Sequence, residues 1–320
     1  MPDAAGPRLV GDIGATNARF GLVSPAGELL HSRTYAVEDH PSIERAIAAY
    51  LDERGARPMP RQGALAIASP VTGDRIAMTN HPWSFSIAAL RASLGFERLE
   101  VINDFTAVAL ALPHLGEADR MPVGGGAAAA RMPIAALGPG SGLGVSGLVP
   151  TPSGGWMALA GEGGHASLPA ESERESAVIS HMRRQFDHVS AERVLSGPGL
   201  VNLYNALAAI DGVPAKAYTA AQITDPATAA GDPLCAEATR LFCALLGTVA
   251  GDLALTLGAR GGVYIAGGIV PKLGAAFARS PFRERFEAKG RLRAYLAPIP
   301  TYVVTHPLPA FLGCAAALAR

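Results

Sequence analysis

The stretch Val10-Gly11-Asp12-Ile13-Gly14-Ala15-Thr16-Asn17 decides how this chain folds. It places a carboxylate at the end of an apolar strand, and small residues follow at once. Residues 18–23 favour a second strand, so the stretch predicts a tight β-hairpin. Backbone N–H groups and a small hydroxyl in such a turn can cradle phosphate, and a nearby carboxylate can hold Mg²⁺ or its water shell. An ordinary hairpin with a turn aspartate explains the same residues, because short glycine motifs also occur by chance.

Length and composition limit the class of protein. The chain has 320 residues, enough for two domains of roughly 100–200 residues each. Hydrophobic residues make up 49% and charged residues 17%, so a large core is available. The formal net charge is +0, so the chain lacks the basic excess that is typical of proteins that bind nucleic acids or anionic membranes. We therefore expect a compact metabolite as the substrate, with no nucleic-acid and no membrane partner.

Cysteine usage and the chain's apolar segments indicate the compartment. Cys235, Cys243 and Cys314 form no C-x-x-C pair, which suits a reducing environment. Residues 1–5 lack a basic region and an apolar region, so no signal peptide is expected. The longest apolar stretch, about 241–257, is interrupted by a charged residue and glycines and falls short of the ~20 residues of a membrane span. The sequence predicts a soluble cytoplasmic protein.

Strand and helix signals repeat along the chain in two similar halves. The predicted strands are 8–13, 18–23, 28–37, 63–68, 99–102, 133–137, 143–149, 156–160, 262–266 and 301–305. The predicted helices include 42–51, 87–94, 106–112 and 310–319, and 171–257 is mostly helical. A Gly- and Ala-rich stretch at 116–131 resembles a connection between domains. This order predicts an α/β fold with a ligand cleft between two domains.

The pair Asn103-Asp104 directly follows the predicted strand 99–102. Polar residues at the carboxyl end of a strand are where α/β sheets tend to place function. An aspartate there can accept a proton from a substrate hydroxyl, and the asparagine can orient another hydroxyl. An equally weighted alternative is that Asp104 caps a helix that begins near Thr106.

Two further polar groups are candidates for binding a polyol. The stretch Gly161-Glu162-Gly163-Gly164-His165 is too rich in glycine for a regular helix, since each glycine costs ~1 kcal/mol relative to alanine. It can present an acceptor and an imidazole, or be a plain surface loop. Glu192 lies beside an arginine, and such a pair is usually a solvated ion pair. The remaining histidines show no ligand-like spacing and are interpreted as structural or exposed: His31, His40, His81, His114, His181, His188 and His306.

Glycines mark two more turns. Gly138-Pro139-Gly140-Ser141-Gly142 lies between two predicted strands and, with no lysine and no helix after it, is not a Walker A motif. It could form a second nest of N–H groups for phosphate. Gly267-Gly268 follows an apolar strand and lets a flat ring approach the backbone. The alternative for each is an ordinary tight turn.

Together these motifs resemble the bacterial ATP-dependent glucokinases of the actin-like ATPase and sugar-kinase superfamily. They occur in family order at 9–19, 102–107, 140–144, 161–165, 190–200 and 264–269. The resemblance implies a two-domain actin-like ATPase (ribonuclease H-like) fold. Its small domain would comprise 1–114 plus 306–320 and its large domain 115–305, with the cleft between them.

The resemblance also implies a role for each matching residue. The first phosphate motif corresponds to Gly11, Asp12, Ile13, Gly14, Ala15, Thr16 and Asn17, the second to Gly138, Gly140, Ser141 and Gly142, and the adenosine motif to Gly267 and Gly268. The glucose-contacting positions correspond to Asn103, Asp104, Glu162, His165 and Glu192. Asp104 matches the catalytic base, and Asp12 the carboxylate that holds Mg²⁺ through water.

The activity implied by the resemblance is phosphoryl transfer from MgATP to the 6-hydroxyl of D-glucose, with ATP and Mg²⁺ as cofactors and a homodimer as the assembly. Two positions depart from many relatives: Pro139 replaces alanine, and Ala15 replaces a second glycine. Both positions tolerate small residues. The chain also lacks the zinc-site cysteine cluster of the repressor-related kinases, which favours the non-zinc glucokinase branch.

Two alternative functions are compatible with the same motifs. A non-catalytic sugar sensor on the same scaffold would need the sugar-contacting residues but neither Asp12 nor Asp104. Both carboxylates are present, which favours an enzyme. A kinase for another hexose, such as fructose, mannose or an N-acetylated hexosamine, would share the same motifs.

Overall fold

The protein forms two compact units in a computed structural model that describes residues 6–55, 58–79 and 83–320. Unit 1 comprises Met1–Leu115 with His306–Arg320, and unit 2 comprises Gly116–Thr305. That these units correspond to the predicted small and large domains stays a prediction. The expectation of no signal peptide rests on residues 1–5, which lie outside the described residues, as does His81.

The described residues contain the following regular elements. The strands are β1 (Arg8–Ile13), β2 (Asn17–Val23), β3 (Leu29–Ala36), β4 (Gln62–Ile67), β5 (Arg75–Ala77), β6 (Ser84–Ser86), β7 (Arg98–Asn103), β8 (Arg120–Pro122), β9 (Ile134–Pro139), β10 (Leu143–Pro150), β11 (Trp156–Gly161), β12 (Val263–Ile265) and β13 (Thr301–Val304). The α-helices are α1 (Ile43–Arg54), α2 (Ile87–Ser93), α3 (Asp104–Ala111), α4 (Glu173–Met182), α5 (Gly197–Ile210), α6 (Ala220–Ile223), α7 (Pro226–Gly231), α8 (Pro233–Leu257), α9 (Val270–Leu273), α10 (Ala275–Ala278), α11 (Phe282–Glu287), α12 (Arg293–Leu296) and α13 (Pro309–Leu318).

The five-stranded sheet of unit 1 has the order β3-β2-β1-β4-β7. β1, β2 and β3 form an antiparallel meander, whereas β1, β4 and β7 are parallel. Side chains alternate between its faces, as strand geometry requires. Leu9 and Leu65 join a core that includes α1, and Val10 and Ala64 join one with Phe311 of α13. Both faces of the sheet are therefore covered.

The sheet of unit 2 repeats this arrangement, with the order β11-β10-β9-β12-β13-β8. β9, β10 and β11 form the antiparallel meander, and β9, β12 and β13 are parallel. The duplicated architecture expected from the sequence is therefore confirmed. One expectation is wrong: the stretch 116–131 is more than a connection, because β8 pairs antiparallel with β13. A three-residue strand shows too little alternation to be recognised in the sequence.

The helix α8 corrects another expectation. It has 25 residues and is long and apolar enough by composition to cross a membrane. The prediction that this stretch is too short for a membrane span is therefore wrong. However, 61% of its most apolar window is buried. A Cβ at Gly247 or Gly251 would overlap the carbonyl oxygen of Phe282 or Phe286 in α11. The close fit between the two helices identifies α8 as a core helix of unit 2, consistent with a soluble protein.

A glycine-to-alanine change tests the packing of α13 on α3. A Cβ at Gly313 would overlap the carbonyl oxygen of Ala107, so Gly313→Ala must force the two helices apart. We expect a loss of about 1–3 kcal/mol in unfolding free energy, the range for overpacked cores. Urea unfolding followed by circular dichroism measures it.

Gly231→Ala is the matched control. Gly231 ends α7 and has open space where a Cβ would lie. The control is expected to change stability by less than about 1 kcal/mol. Equal urea midpoints for the two variants would contradict the packing argument.

Candidate active site

The first glycine turn of unit 1 is the predicted β-hairpin. β1 and β2 are joined through residues 14–16, and Gly14 N donates to Asn17 O (2.9 Å). The N–H of Val37 donates to Thr16 O (2.9 Å), which fixes the far side of the turn. Thr16 and Asn17 are exposed. The turn is therefore a fixed loop with polar groups open to a ligand.

Asp12 lies on β1 opposite Arg19 of β2. The Nη1 atom of Arg19 is 3.4 Å from Oδ2 of Asp12. Burial raises the pKa of Asp12 above its usual value, and Arg19 opposes that shift. A partly buried carboxylate of this kind is stabilised by a nearby cation.

Asp12 also fits a magnesium ion. Mg²⁺ prefers oxygen ligands and is usually bound by one or two carboxylates together with substrate phosphates. Asp12 offers one such carboxylate beside the glycine turn. Across the described part of the chain, no three His, Cys, Asp or Glu residues group closely enough to form an all-protein metal site. The donor set therefore suits an ion that arrives with a phosphate substrate.

Asn103 and Asp104 lie where β7 gives way to α3. The cap of α3 is Asn103, whose Oδ1 accepts from the N–H groups of Phe105 (2.9 Å) and Thr106 (3.1 Å). The alternative that Asp104 caps a helix beginning near Thr106 is therefore wrong. The helix begins earlier because the amide oxygen of Asn103 accepts from the first free N–H groups of the helix. Asp104 is its first residue, and its Oδ1 accepts from Phe105 N (2.8 Å).

Sheet order brings these groups to one edge of unit 1. β4 is parallel to β1 on one side and to β7 on the other. Ile13 pairs with Ile67, which pairs with Asn103. The carboxyl ends of parallel strands are the usual ligand-binding edge of an α/β sheet. Asp12, Asn103 and Asp104 therefore share that edge.

In unit 2 the two glycine motifs contact each other. β9 includes Gly138 and Pro139, so the predicted strand end at residue 137 is wrong and the turn is confined to 140–142. Gly267 has φ +83°, and a Cβ there would overlap the carbonyl oxygen of Pro139. Only glycine tolerates both the backbone conformation and the contact. Gly267 and Gly268 are exposed, and so is Ser141 in the turn.

Glu192 is fixed at the same turn. Its Oε2 accepts from Leu143 N (2.8 Å), the first residue of β10. A Cβ at Gly142 would overlap that carboxylate. The expected ion pair with its neighbour is not the arrangement found, because the Arg193 guanidinium lies over the Phe186 ring (4.2 Å to the centroid).

Glu162 directly precedes a short 3-10 turn, Gly163–His165, and His165 is its last residue. A Cβ at Gly164 would overlap the carbonyl oxygen of Leu143, so the turn packs directly on the start of β10. Glu162 and His165 are both exposed. Leu143 is therefore contacted both by Glu192, which accepts from its N–H, and by the turn that carries Glu162 and His165.

His188 also lies beside this group, and it is exposed, as the sequence predicts. His188 donates from Nε2 to the carbonyl oxygen of His165 (2.9 Å). The sequence gives no local sign of this bond, because the two residues lie 23 positions apart.

Comparison with known proteins identifies the family. A profile of the Glucokinase family matches residues 9–320. The chain belongs to the glucokinase family. It is 54% identical to a glucokinase of Paramagnetospirillum magneticum (strain ATCC 700264 / AMB-1), over 96% of each chain.

Solved structures support the same assignment. The crystal structure of a glucokinase from an Antarctic psychrotroph matches with a TM-score of 0.89 and 38% identity, over 98% of this chain and 99% of the other. A ROK family glucokinase from Streptomyces griseus, solved in complex with glucose and AMPPNP, matches with a TM-score of 0.64 and 20% identity, over 98% of this chain and 99% of the other. That second likeness concerns the fold. The predicted glucokinase family and the α/β actin-like ATPase fold are confirmed, and the chain is a kinase.

Proposed function

We propose that this glucokinase-family protein transfers the γ-phosphoryl group of ATP to the 6-hydroxyl of D-glucose. The observation that carries the proposal is the edge of the unit 1 sheet, where Asp104 begins α3 and Asp12 lies beside the glycine turn. This edge supplies one carboxylate for a proton and one for a metal ion. The relative from Paramagnetospirillum magneticum is a glucokinase, and the neighbour from Streptomyces griseus was solved with glucose and AMPPNP.

Asp104 acts as the general base. Phosphoryl transfer depends on positioning and charge stabilisation more than on covalent chemistry by the protein. Asp104 accepts the proton of the 6-hydroxyl as that oxygen forms its bond to the γ-phosphorus and the bond to the ADP oxygen breaks. Asn103 Oδ1 accepts from the N–H groups at the start of α3, so Asn103 contacts a sugar hydroxyl as a donor, through its Nδ2 group.

The glycine turns bind the nucleotide. Backbone N–H groups and hydroxyls near Thr16 and Ser141 steady the phosphates, and Gly267 with Gly268 leaves room for the adenosine. Asp12 would hold Mg²⁺ through its water shell. When bound, that ion neutralises charge on the phosphates.

Glu162, His165 and Glu192 bind the sugar. Glu162 and His165 present exposed polar groups. Glu192 uses Oε2 for Leu143 N, which leaves Oε1 to accept from a hydroxyl. A carboxylate already held by a backbone N–H is pre-organised, so less side-chain entropy is lost when the sugar binds.

We further propose a cytoplasmic location and a homodimer. The three cysteines are free and buried, as suits a reducing compartment. The dimer rests on the family resemblance alone.

An acceptor panel tests the proposed reaction. ADP release is measured with glucose, fructose, mannose and an N-acetylated hexosamine, and the product is identified with glucose-6-phosphate dehydrogenase. We expect the highest kcat/KM with glucose and a product that the dehydrogenase oxidises. A higher kcat/KM with another hexose would favour a different hexose kinase. Glucose binding without turnover of any sugar would favour a sensor.

A further inference from the structure

A segment of unit 2, residues 188–192, pairs with the chain that follows the sugar-site turn. Ala191 N donates to the carbonyl oxygen of Ala166 (2.8 Å). Ser190 forms an isolated antiparallel bridge with Ser167. The segment therefore runs beside the turn and ends at Glu192, one of the proposed sugar ligands.

The imidazole of His188 continues this pairing. Its Nε2 atom lies 2.9 Å from the carbonyl oxygen of His165. A carbonyl oxygen only accepts, so the ring donates. His165 is the last residue of the 3-10 turn. The bond from His188 therefore restrains the backbone at the end of that turn. His188 is exposed, so this bond, rather than core packing, is its main contribution.

We propose that His188 is a positioning residue that fixes His165 relative to Glu192. The proposal rests on the proposed function, in which both residues bind glucose. Leu143 anchors them by its backbone, through the contact with Gly164 and the bond to Glu192. His188 adds a side-chain bond between the two sugar-binding segments themselves. Without that bond, the turn loses one restraint on the direction of the His165 side chain.

Kinetics of His188→Ala and His188→Gln test the proposal. Loss of one hydrogen bond, worth about 0.5–1.5 kcal/mol, corresponds to a rise of about 2- to 13-fold in KM for glucose. We expect kcat and KM for ATP to change less than about twofold. A glutamine amide can still donate, so His188→Gln is expected to recover part of the glucose affinity. His181→Ala is the matched control, since that residue lies in α4, and it should leave all three constants unchanged.

Two further measurements distinguish failure of the positioning role from failure of the proposed function. Backbone hydrogen exchange at residues 165–168 should be faster in His188→Ala, and calorimetry should show weaker glucose binding. An unchanged KM for glucose, or an equal rise for glucose and ATP, would overturn the positioning role. If the unmodified protein phosphorylated no sugar, the proposed function would fail. Calorimetry and exchange would then decide the positioning role alone, and unchanged values in both would refute it.

Discussion

Asp104→Ala is expected to lower kcat by about 10²–10⁴-fold, the range for loss of a general base, while glucose still binds. Asp104 begins α3, and its Oδ1 accepts from Phe105 N, which also donates to Asn103 Oδ1. The cap of that helix belongs to Asn103, so the helix keeps its N-terminal bonds in the variant. Single-turnover kinetics measures the chemical step, and calorimetry measures glucose affinity.

Two companion variants make this expectation specific. Asp104→Asn keeps the size and the acceptor for Phe105 N but cannot take a proton, so it should be nearly as slow as Asp104→Ala. Glu100→Gln changes a partly exposed carboxylate on the neighbouring strand β7, one that pairs with Arg98, and should keep normal turnover. Turnover near that of the unmodified protein in Asp104→Asn would remove Asp104 as the base.

Much of the fold could be predicted because the relevant signals are local. The sequence predicts a strand at 8–13, and β1 forms Arg8–Ile13, since an apolar run ends there at a glycine turn. The sequence also predicts a last helix at 310–319, and α13 forms Pro309–Leu318. The sequence does not predict the short strands β5 and β6, because three residues show no clear periodicity.

The residues of the candidate site also differ in whether local sequence identifies them. Asn103-Asp104 and the glycine turns stand out locally, because polar or small residues follow apolar strands. Glu192 does not stand out locally, since its bond to Leu143 N joins residues 49 positions apart. Only the order of the family motifs indicates a role for Glu192. The cap of α3 is Asn103 and not the alternative Asp104, and the sequence alone does not separate the two because both Asn and Asp are good capping residues.

A buried ion pair in unit 2 joins α4, α8 and α11. Glu175 of α4 has a side chain only 1% exposed and accepts from Arg285 of α11 (Nη1–Oε1 2.7 Å). Arg285 also donates to Thr248 of α8 (2.8 Å), and Glu171 N donates to Glu175 (2.7 Å). Burial raises the pKa of Glu175, but the bonds from Arg285 and Glu171 outweigh it, so the pKa lies below its usual value.

Glu175→Gln is expected to lower the unfolding free energy by about 3–5 kcal/mol, because it leaves the Arg285 charge buried without its partner. Urea unfolding at neutral pH measures the loss. Glu237→Gln is the matched control: Glu237 pairs with Arg174, and both side chains are 28% exposed. A pair of that exposure contributes about 0–1 kcal/mol.

A double variant and a pH series test the cause. Replacing Glu175 and Arg285 together with leucine should cost less than Glu175→Gln, because no charge is left unpaired. A carboxyl with a lowered folded pKa stabilises the protein above its unfolded pKa and loses that effect as pH falls through the folded value. The stability gap between the unmodified protein and Glu175→Gln should therefore be full at neutral pH and shrink below the ordinary value of 4.5. A gap that is constant down to acid pH would show that lost packing, and not the unpaired arginine, causes the destabilisation.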